Sequence, residues 1–312
     1  MNLFINLLKI NTLFIVLSLL FSACGNTENS DTDNLNDSLS NSSDTSLYNS
    51  KNQGGIPFDF PKIGIESKTG DYVLTPGYEM WQNNISAEMP ENETYIFYSA
   101  TMSNPGEAES DIEFTFDGIQ KMPNAIIVPI PSGQTAAKGD IVLTWWQTGS
   151  GMQRAIVTDA TNPTEPMVRY LDLDYNNPAT DNNSGKSIGQ TDYQLKANSF
   201  VKISNEWQAG NMVAAKDENW GWVIAQIISI AENKVLTIGF AGKMHVYAKS
   251  DIIPMPIKPA VKKGDAVQVV GTSSFIAGTV VRVDEKIGRV FVKTATEPEA
   301  AIPYGEIIPQ LP

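Results

Sequence analysis

Lys262-Lys263-Gly264-Asp265, followed by Ala266-Val-Gln-Val-Val270, opens the stretch whose reading decides the fold, Val261 to Pro312. After a polar Gly/Ser turn come Phe275-Ile-Ala-Gly-Thr-Val-Val-Arg-Val283 and Asp284-Glu-Lys-Ile-Gly288. Arg289-Val-Phe-Val-Lys293 follows, and Ile302-Pro-Tyr-Gly-Glu-Ile-Ile-Pro309 closes the stretch. These are short runs rich in β-branched and aromatic residues, punctuated by Gly, Asp and Pro, as strands joined by tight turns are. Read together they form one small antiparallel barrel.

Working outward, the plan recurs. Gly70-Asp71, Gly139-Asp140, Gly210-Asn211 and Gly264-Asp265 precede the apolar runs Tyr72-Val-Leu-Thr75, Ile141-Val-Leu-Thr144, Met212-Val-Ala-Ala215 and Ala266-Val-Gln-Val269. Valine holds the second place in every run. Farther on stands a large residue (Trp81, Met152, Trp222, Phe275), with Asn84, Ala155, Ala225 and Gly278 three places beyond. The endings also agree: Ala125-Ile-Ile-Val-Pro129, Asn198-Ser-Phe-Val-Lys-Ile203, Asp251-Ile-Ile-Pro254 and Glu306-Ile-Ile-Pro309. Gly-Asp launches the first strand, alternation turns one face inward, and a large residue opposite a small one lets a tightly curved sheet close on a minimal core. The reading is all-β, with tandem small barrels at 133–205, 206–257 and 258–312 after a divergent β domain at 56–132. In that first domain Asn84-Ile85-Ser86 is the weak match, and Tyr95-Ile-Phe-Tyr98 and Ile112-Glu-Phe-Thr-Phe116 leave a sandwich-like cap open as an alternative.

Composition narrows the chemistry. The chain has 312 residues and a formal net charge of −13, the opposite of the basic footprint that nucleic-acid binding needs. With 1 cysteine and 1 histidine, an intrachain disulfide and a Cys/His zinc site are excluded, and any catalytic triad would have to use His245 within the strand-like Lys243-Met-His-Val-Tyr247. Asp172-Leu-Asp-Tyr-Asn176 begins like a calcium loop, but Asn177 and Asn183 stand where Gly and Glu are needed; Gly185-Lys-Ser187 lacks the glycine of a phosphate loop. No cofactor or metal is expected.

The N-terminus reads as an address. Residues 1–23 carry Lys9 as their only charge, then Leu13-Phe-Ile-Val-Leu-Ser-Leu-Leu-Phe21, too short to span a bilayer permanently but the length of a signal-peptide core. Leu20-Phe21-Ser22-Ala23-Cys24 resembles the bacterial lipobox, with Phe21 in place of the family's usual Leu. The resemblance implies lipid attachment at Cys24 and anchoring in the cell envelope through that lipid. Gly25 rather than Asp after the cysteine implies the outer membrane, with the periplasmic and surface faces both open. Residues 24–55, dominated by Asn, Ser, Asp and Thr, are too poor in apolar surface to fold and read as a disordered tether.

The Lys-Gly-Asp-x-Val opening and the aromatic-x-x-Ala/Gly second strand resemble SH3-like barrels of the Tudor/agenet kind. That resemblance implies a cage in which aromatic faces attract a cationic side chain near the first loop. In copy two it points to Trp145 and Trp146 with Tyr170 and Asp172; in copy three, to Trp220 and Trp222, with Phe240 and Tyr247 beyond. The same side chains would equally fill small cores or the joints between barrels. The functional expectation is a lipid-anchored envelope binding or scaffolding protein that presents its barrels to a peptide, glycan or protein. The alternatives are a structural envelope-assembly component without a small ligand and an envelope hydrolase, for which spacing alone assigns no carboxylate pair.

Overall fold

The computed structural model describes residues 56, 58–146, 151–173, 192–272 and 274–311, all within one unit, Thr45–Pro312. The segments read as a signal peptide and a tether, with Cys24, lie outside the described residues. Copy one holds β1 (Tyr72–Pro76), α1 (Tyr78–Ile85), β2 (Phe97–Asn104), β3 (Glu109–Phe114), β4 (Gly118–Pro123) and β5 (Val128–Ile130). Copy two holds β6 (Ile141–Trp145), β7 (Met152–Asp159), β8 (Met167–Tyr170), β9 (Asp192–Gln194) and β10 (Val201–Lys202). Copy three holds β11 (Met212–Asp217), β12 (Gly221–Ala231), β13 (Lys234–Ile238), β14 (Met244–Ala248) and β15 (Ile252–Pro254). Copy four holds β16 (Ala266–Val270), β17 (Phe275–Asp284), β18 (Arg289–Lys293), β19 (Ala300–Pro303) and β20 (Ile307–Ile308). Each forms a 5-stranded antiparallel sheet in which the first strand lies between the second and the last: β4-β3-β2-β1-β5, β9-β8-β7-β6-β10, β14-β13-β12-β11-β15 and β19-β18-β17-β16-β20. Copy one shares the strand order of the others.

The Gly-Asp motif works as a clasp. Gly70, Gly139, Gly210 and Gly264 all sit at positive φ, between 85° and 95°, where a side chain would be strained. Their N–H groups donate to the carbonyls of Met102, Val157, Ile227 and Val280 at 2.7–2.8 Å, and the N–H of each acceptor returns a bond to the carbonyl of Asp71, Asp140, Asn211 or Asp265. Directly beyond each clasped residue the second strand carries a β-bulge, between Met102/Asn104, Val157/Asp159, Ile227/Ser229 and Val280/Arg282. A bulge bends and twists its strand, so the clasp fixes where each sheet curls over. Asp71, Asp140 and Asp265 each accept the backbone N–H three residues earlier, at 2.8–2.9 Å, completing the turn. Asn211 instead donates to the carbonyls of Glu206 and Met255.

Register explains the small residue of the repeat. The recurrent valines Val73, Val142, Val213 and Val267 lie opposite Ala100, Ala155, Ala225 and Gly278. At Gly278 a Cβ would come within 2.3 Å of Val292 Cγ1, so the sheet there is too tightly curved even for alanine. The match in copy one is therefore Phe97-x-x-Ala100, which corrects the assignment to Trp81 and Asn84. Those two lie on α1, inserted between the first two strands, where Trp81 is 2% exposed and packs on Tyr95.

The large residue does not fill the barrel as expected. Residues three apart on a strand face opposite ways, and the packing follows that rule. Ala155 and Val157 join Val142, Val168, Tyr170 and Phe200 in the core of copy two, whereas Met152 and Ile156 join the cluster shared between copies. Copy three behaves alike: Val213, Ala225 and Ile227 face its own core, and Trp222 and Ile224 pack outward with Phe275 and Ile308 of copy four. The copies close a ring of contacts. Tyr72 packs on Trp145 with ring centroids 5.2 Å apart and planes tilted by 54° between copies one and two, and Ser229 donates to the Ala125 carbonyl between three and one. Arg154 reaches the Tyr304 carbonyl between copies two and four.

Thr75 and Thr144 occupy equivalent places in their first strands, and both are fully buried. Thr144 donates to the Ser199 carbonyl at 2.7 Å, whereas the Thr75 hydroxyl has no partner among the described residues. The isosteric replacement Thr75→Val is therefore expected to stabilise the protein by about 1 kcal/mol and Thr144→Val to destabilise it by about the same amount. Urea unfolding of the two variants measures both.

Candidate binding site where three copies meet

The candidates of copy two lie side by side but are tied up in its core and joints, and those of copy three are separated from one another. Trp145 is half-buried against Tyr72 at the joint between copies one and two. Tyr170, 1% exposed, donates its hydroxyl to the Trp145 carbonyl at 3.2 Å from inside the copy-two core. Asp172 is held by Arg154, whose backbone N–H, Nε and Nη2 approach its oxygens at 2.7, 3.1 and 2.5 Å. Trp146 packs beside that core, its buried indole N–H without an acceptor among the described residues. In copy three, Trp222 packs outward in a cluster with Phe275 and Leu311. Trp220 stands at the tip of the β11–β12 hairpin, 62% exposed, on a turn in which Asp217 accepts the N–H groups of Asn219 and Trp220. Within copy three a cation does lie on an aromatic face, Lys249 Nζ being 4.5 Å from the Trp207 ring centroid. That cation comes from the same copy.

The concave site lies elsewhere. A cavity of about 340 Å³ opens where copies one, two and three converge. Phe97 of β2, Met152 of β7 and Ile224 of β12 contribute from the starts of three second strands, and Met212, Ile238 and Phe240 complete the apolar wall. Two backbone hydrogen bonds across the copies frame it, Gly151 N–H to the Phe97 carbonyl at 3.1 Å and Tyr95 N–H to the Gly242 carbonyl at 2.8 Å. Gly242, at φ 72°, is needed for the second approach, since a Cβ would lie 2.6 Å from the Tyr95 carbonyl oxygen. Beside it Ala241 is held at φ 57°, a conformation alanine rarely adopts, and the turn projects Phe240, 82% exposed, at the rim.

The wall offers little unsatisfied polarity. Gln226 Nε2 donates to the Gly210 carbonyl, Gly239 N–H to the Lys243 carbonyl and Gly242 N–H to the Gly239 carbonyl. Ionisable groups stay out of the wall except the Tyr95 hydroxyl, which burial, with Glu93 and Glu91 nearby, holds well above the usual phenol range and which donates to the Pro90 carbonyl. His245, on β14 behind the wall, has its imidazole held below its usual value by burial, with Asp217 pulling the other way. Among the described residues no group of three or more His, Cys, Asp or Glu could hold a metal ion. The site can therefore desolvate an apolar group, and among the described residues its wall assembles no acid–base pair.

Of the wall, the sequence had displayed Phe240 among the aromatic candidates of copy three, and Met152 as the large member of the repeat, but as a core filler. The three-residue offset of Met152 from Ala155 was the available signal that Met152 faces the other way. Nothing local marks Met212, Ile224 and Ile238 as meeting residues of copies one and two.

No family model matches the chain, and no curated protein matches it. A search of solved structures finds the crystal structure of Arabidopsis thaliana AGDP1 AGD34, 16% identical, covering 32% of this chain and 79% of that one with a TM-score of 0.21. A likeness of that degree carries no weight for fold or function.

The different settings of the candidates predict different costs. Asp172→Ala strands the buried Arg154 guanidinium and is expected to cost about 3 kcal/mol of stability. Trp220→Ala removes an exposed side chain and is expected to change stability by less than about 0.5 kcal/mol. Denaturant unfolding followed by far-ultraviolet circular dichroism distinguishes the two.

Proposed function

We propose that this chain is a binding protein of the cell envelope whose ring of barrels presents the three-copy cavity to an apolar side chain of a partner protein or peptide. The single observation that carries the reading is the cavity, about 340 Å³ and walled by Phe97, Met152, Met212, Ile224 and Ile238. Its volume falls in the range of ligand pockets, and its apolar wall with satisfied backbone groups suits burial of an apolar group better than of a glycan, whose hydroxyls need directed partners. Two methionines in the wall suit adjustment to side chains of different shape. The exposed Phe240 at the rim would cover what enters. Attachment through lipid on Cys24 remains part of this proposal, supported by the lipobox-like Leu20-Phe21-Ser22-Ala23-Cys24.

A structural, assembling role is the second reading. Its support is the β3–β4 hairpin, where Phe116 and Ile119 stand 96% and 60% exposed.

Nile red, a neutral apolar dye, tests the cavity. The wild-type protein is expected to enhance its fluorescence saturably, and Met212→Trp and Ile238→Trp, which fill the cavity, to weaken binding at least about tenfold with little change in melting temperature. Trp220→Ala and Phe116→Ser are expected to bind as the wild type does. Equal binding by the filled variants rejects the cavity as the site.

A further inference from the structure

The chain enters the unit beside the cavity. Ile56 and Phe58 are buried with Trp81, Tyr95 and Phe97 of copy one, and the Phe58 ring meets Tyr95 edge to face with centroids 6.2 Å apart. Tyr95 and Phe97 also line the cavity. The chain turns at Phe58-Asp59, where Asp59 is held at φ 49°. Lys234 Nζ of copy three donates there to the Asp59 carbonyl and carboxylate, at 2.7 and 2.9 Å. The segment ahead of Ile56 therefore joins the unit between copies one and three, the pair whose Tyr95–Gly242 hydrogen bond frames the cavity.

That segment has few apolar side chains to offer. Between Cys24 and Ile56 they are Leu35, Leu39, Leu47 and Tyr48, and only Leu47-Tyr48 stand side by side. Tyr48 is 10 residues ahead of Phe58. A chain of that length averages about 17 Å end to end as a coil and reaches at most about 35 Å. Gly54-Gly55 lie in between, and glycine admits the sharp reversal that a return towards Tyr95 requires. Lys51 is the only charge in 45–55, and Glu93 and Glu91 are the carboxylates that act on the Tyr95 hydroxyl. Attraction and attachment point the same way.

We propose that the chain's own Leu47-Tyr48 occupies the three-copy cavity when no partner is bound, as a plug that a partner must displace. This deepens the cavity reading and rests on it. The wall of Phe97, Met152, Met212, Ile224 and Ile238 takes the Leu47 side chain out of water, and the two methionines adapt to its shape. Tyr48 lays its ring against the exposed Phe240 at the rim and keeps its hydroxyl in water. Two side chains alone bind weakly. So short a link, however, holds them at an effective concentration in the millimolar range, and a contact of submillimolar affinity then keeps the cavity mostly filled. A partner's apparent affinity falls by the fraction of cavities left open.

The full chain carrying Leu47→Ser and Tyr48→Ser together, both outside the described residues, tests the plug with Nile red as the probe. The double variant is expected to bind the dye about threefold to tenfold more tightly than the wild type. Trypsin, which cuts after lysine, gives a second readout at Lys51. Cleavage there is expected to be at least about threefold faster than in the wild type both in the double variant and in Met212→Trp, whose cavity is filled. Equal dye affinity in the wild type and the double variant overturns the inference, as does one rate of Lys51 cleavage in all three proteins. The cavity reading fails separately, when Met212→Trp and Ile238→Trp bind the dye as the wild type does. Protection of Lys51 that grows with protein concentration assigns the pair to a second copy and overturns docking within one chain.

Discussion

Everything in this unit depends on a reciprocal pair of backbone hydrogen bonds made four times over. A glycine at positive φ gives its N–H to the residue just before a bulge, and that residue returns its own N–H to the carbonyl of the Asp or Asn that follows the glycine. The bond fixes where the second strand bends. Because the bulge follows at the same place in every copy, each sheet curls over its own valine and its own small residue. Aspartate serves well beside the glycine because its carboxylate also satisfies the turn's N–H. Asp71 shows how far this is used: one oxygen accepts Lys68 N–H and the other Ser132 N–H in the segment leading to copy two.

Once each sheet is bent this way its outer face still has to be covered. In copies one to three the first strands carry three or four consecutive buried residues, so both of their faces are covered, one in the copy's own core and one against a neighbour. Copy four differs: β16 alternates, with Val267 and Val269 buried and Ala266 exposed, and much of β17 is exposed. The aromatic side chains are drawn into these joints for the same reason. Trp145 covers Tyr72, Trp222 covers copy four, and what remains uncovered between three second strands is the cavity.

Much of this was legible in particular residues. The four Gly-Asp/Asn turns, the recurrent valine, the Ala/Gly partner in copies two to four and the Ile-Ile-Pro closings are local signals, because turn chemistry and strand periodicity act over a few residues. The register in copy one was not. Trp81 sits at a spacing the repeat allows, and only the insertion of α1 displaces the true partner to Ala100. Tyr170 and Asp172 show a different gap: a tyrosine beside carboxylates has the chemistry of a cage, and only burial and the Arg154 guanidinium reveal what holds them.

The sequence by itself determined the all-β class, the recurrence of one small sheet, and which residues turn each sheet. Those properties are set by conformational preferences and side-chain alternation along a short stretch of chain. The tertiary structure alone decided that the copies share a core rather than stand apart, that Met152 meets Met212 and Ile224 around a cavity, and that Arg154 and Arg289 donate in opposite directions across the joint between copies two and four. Those facts depend on which outer faces meet, and outer faces are matched by shape and by loss of water between segments distant in the chain, which no local pattern encodes.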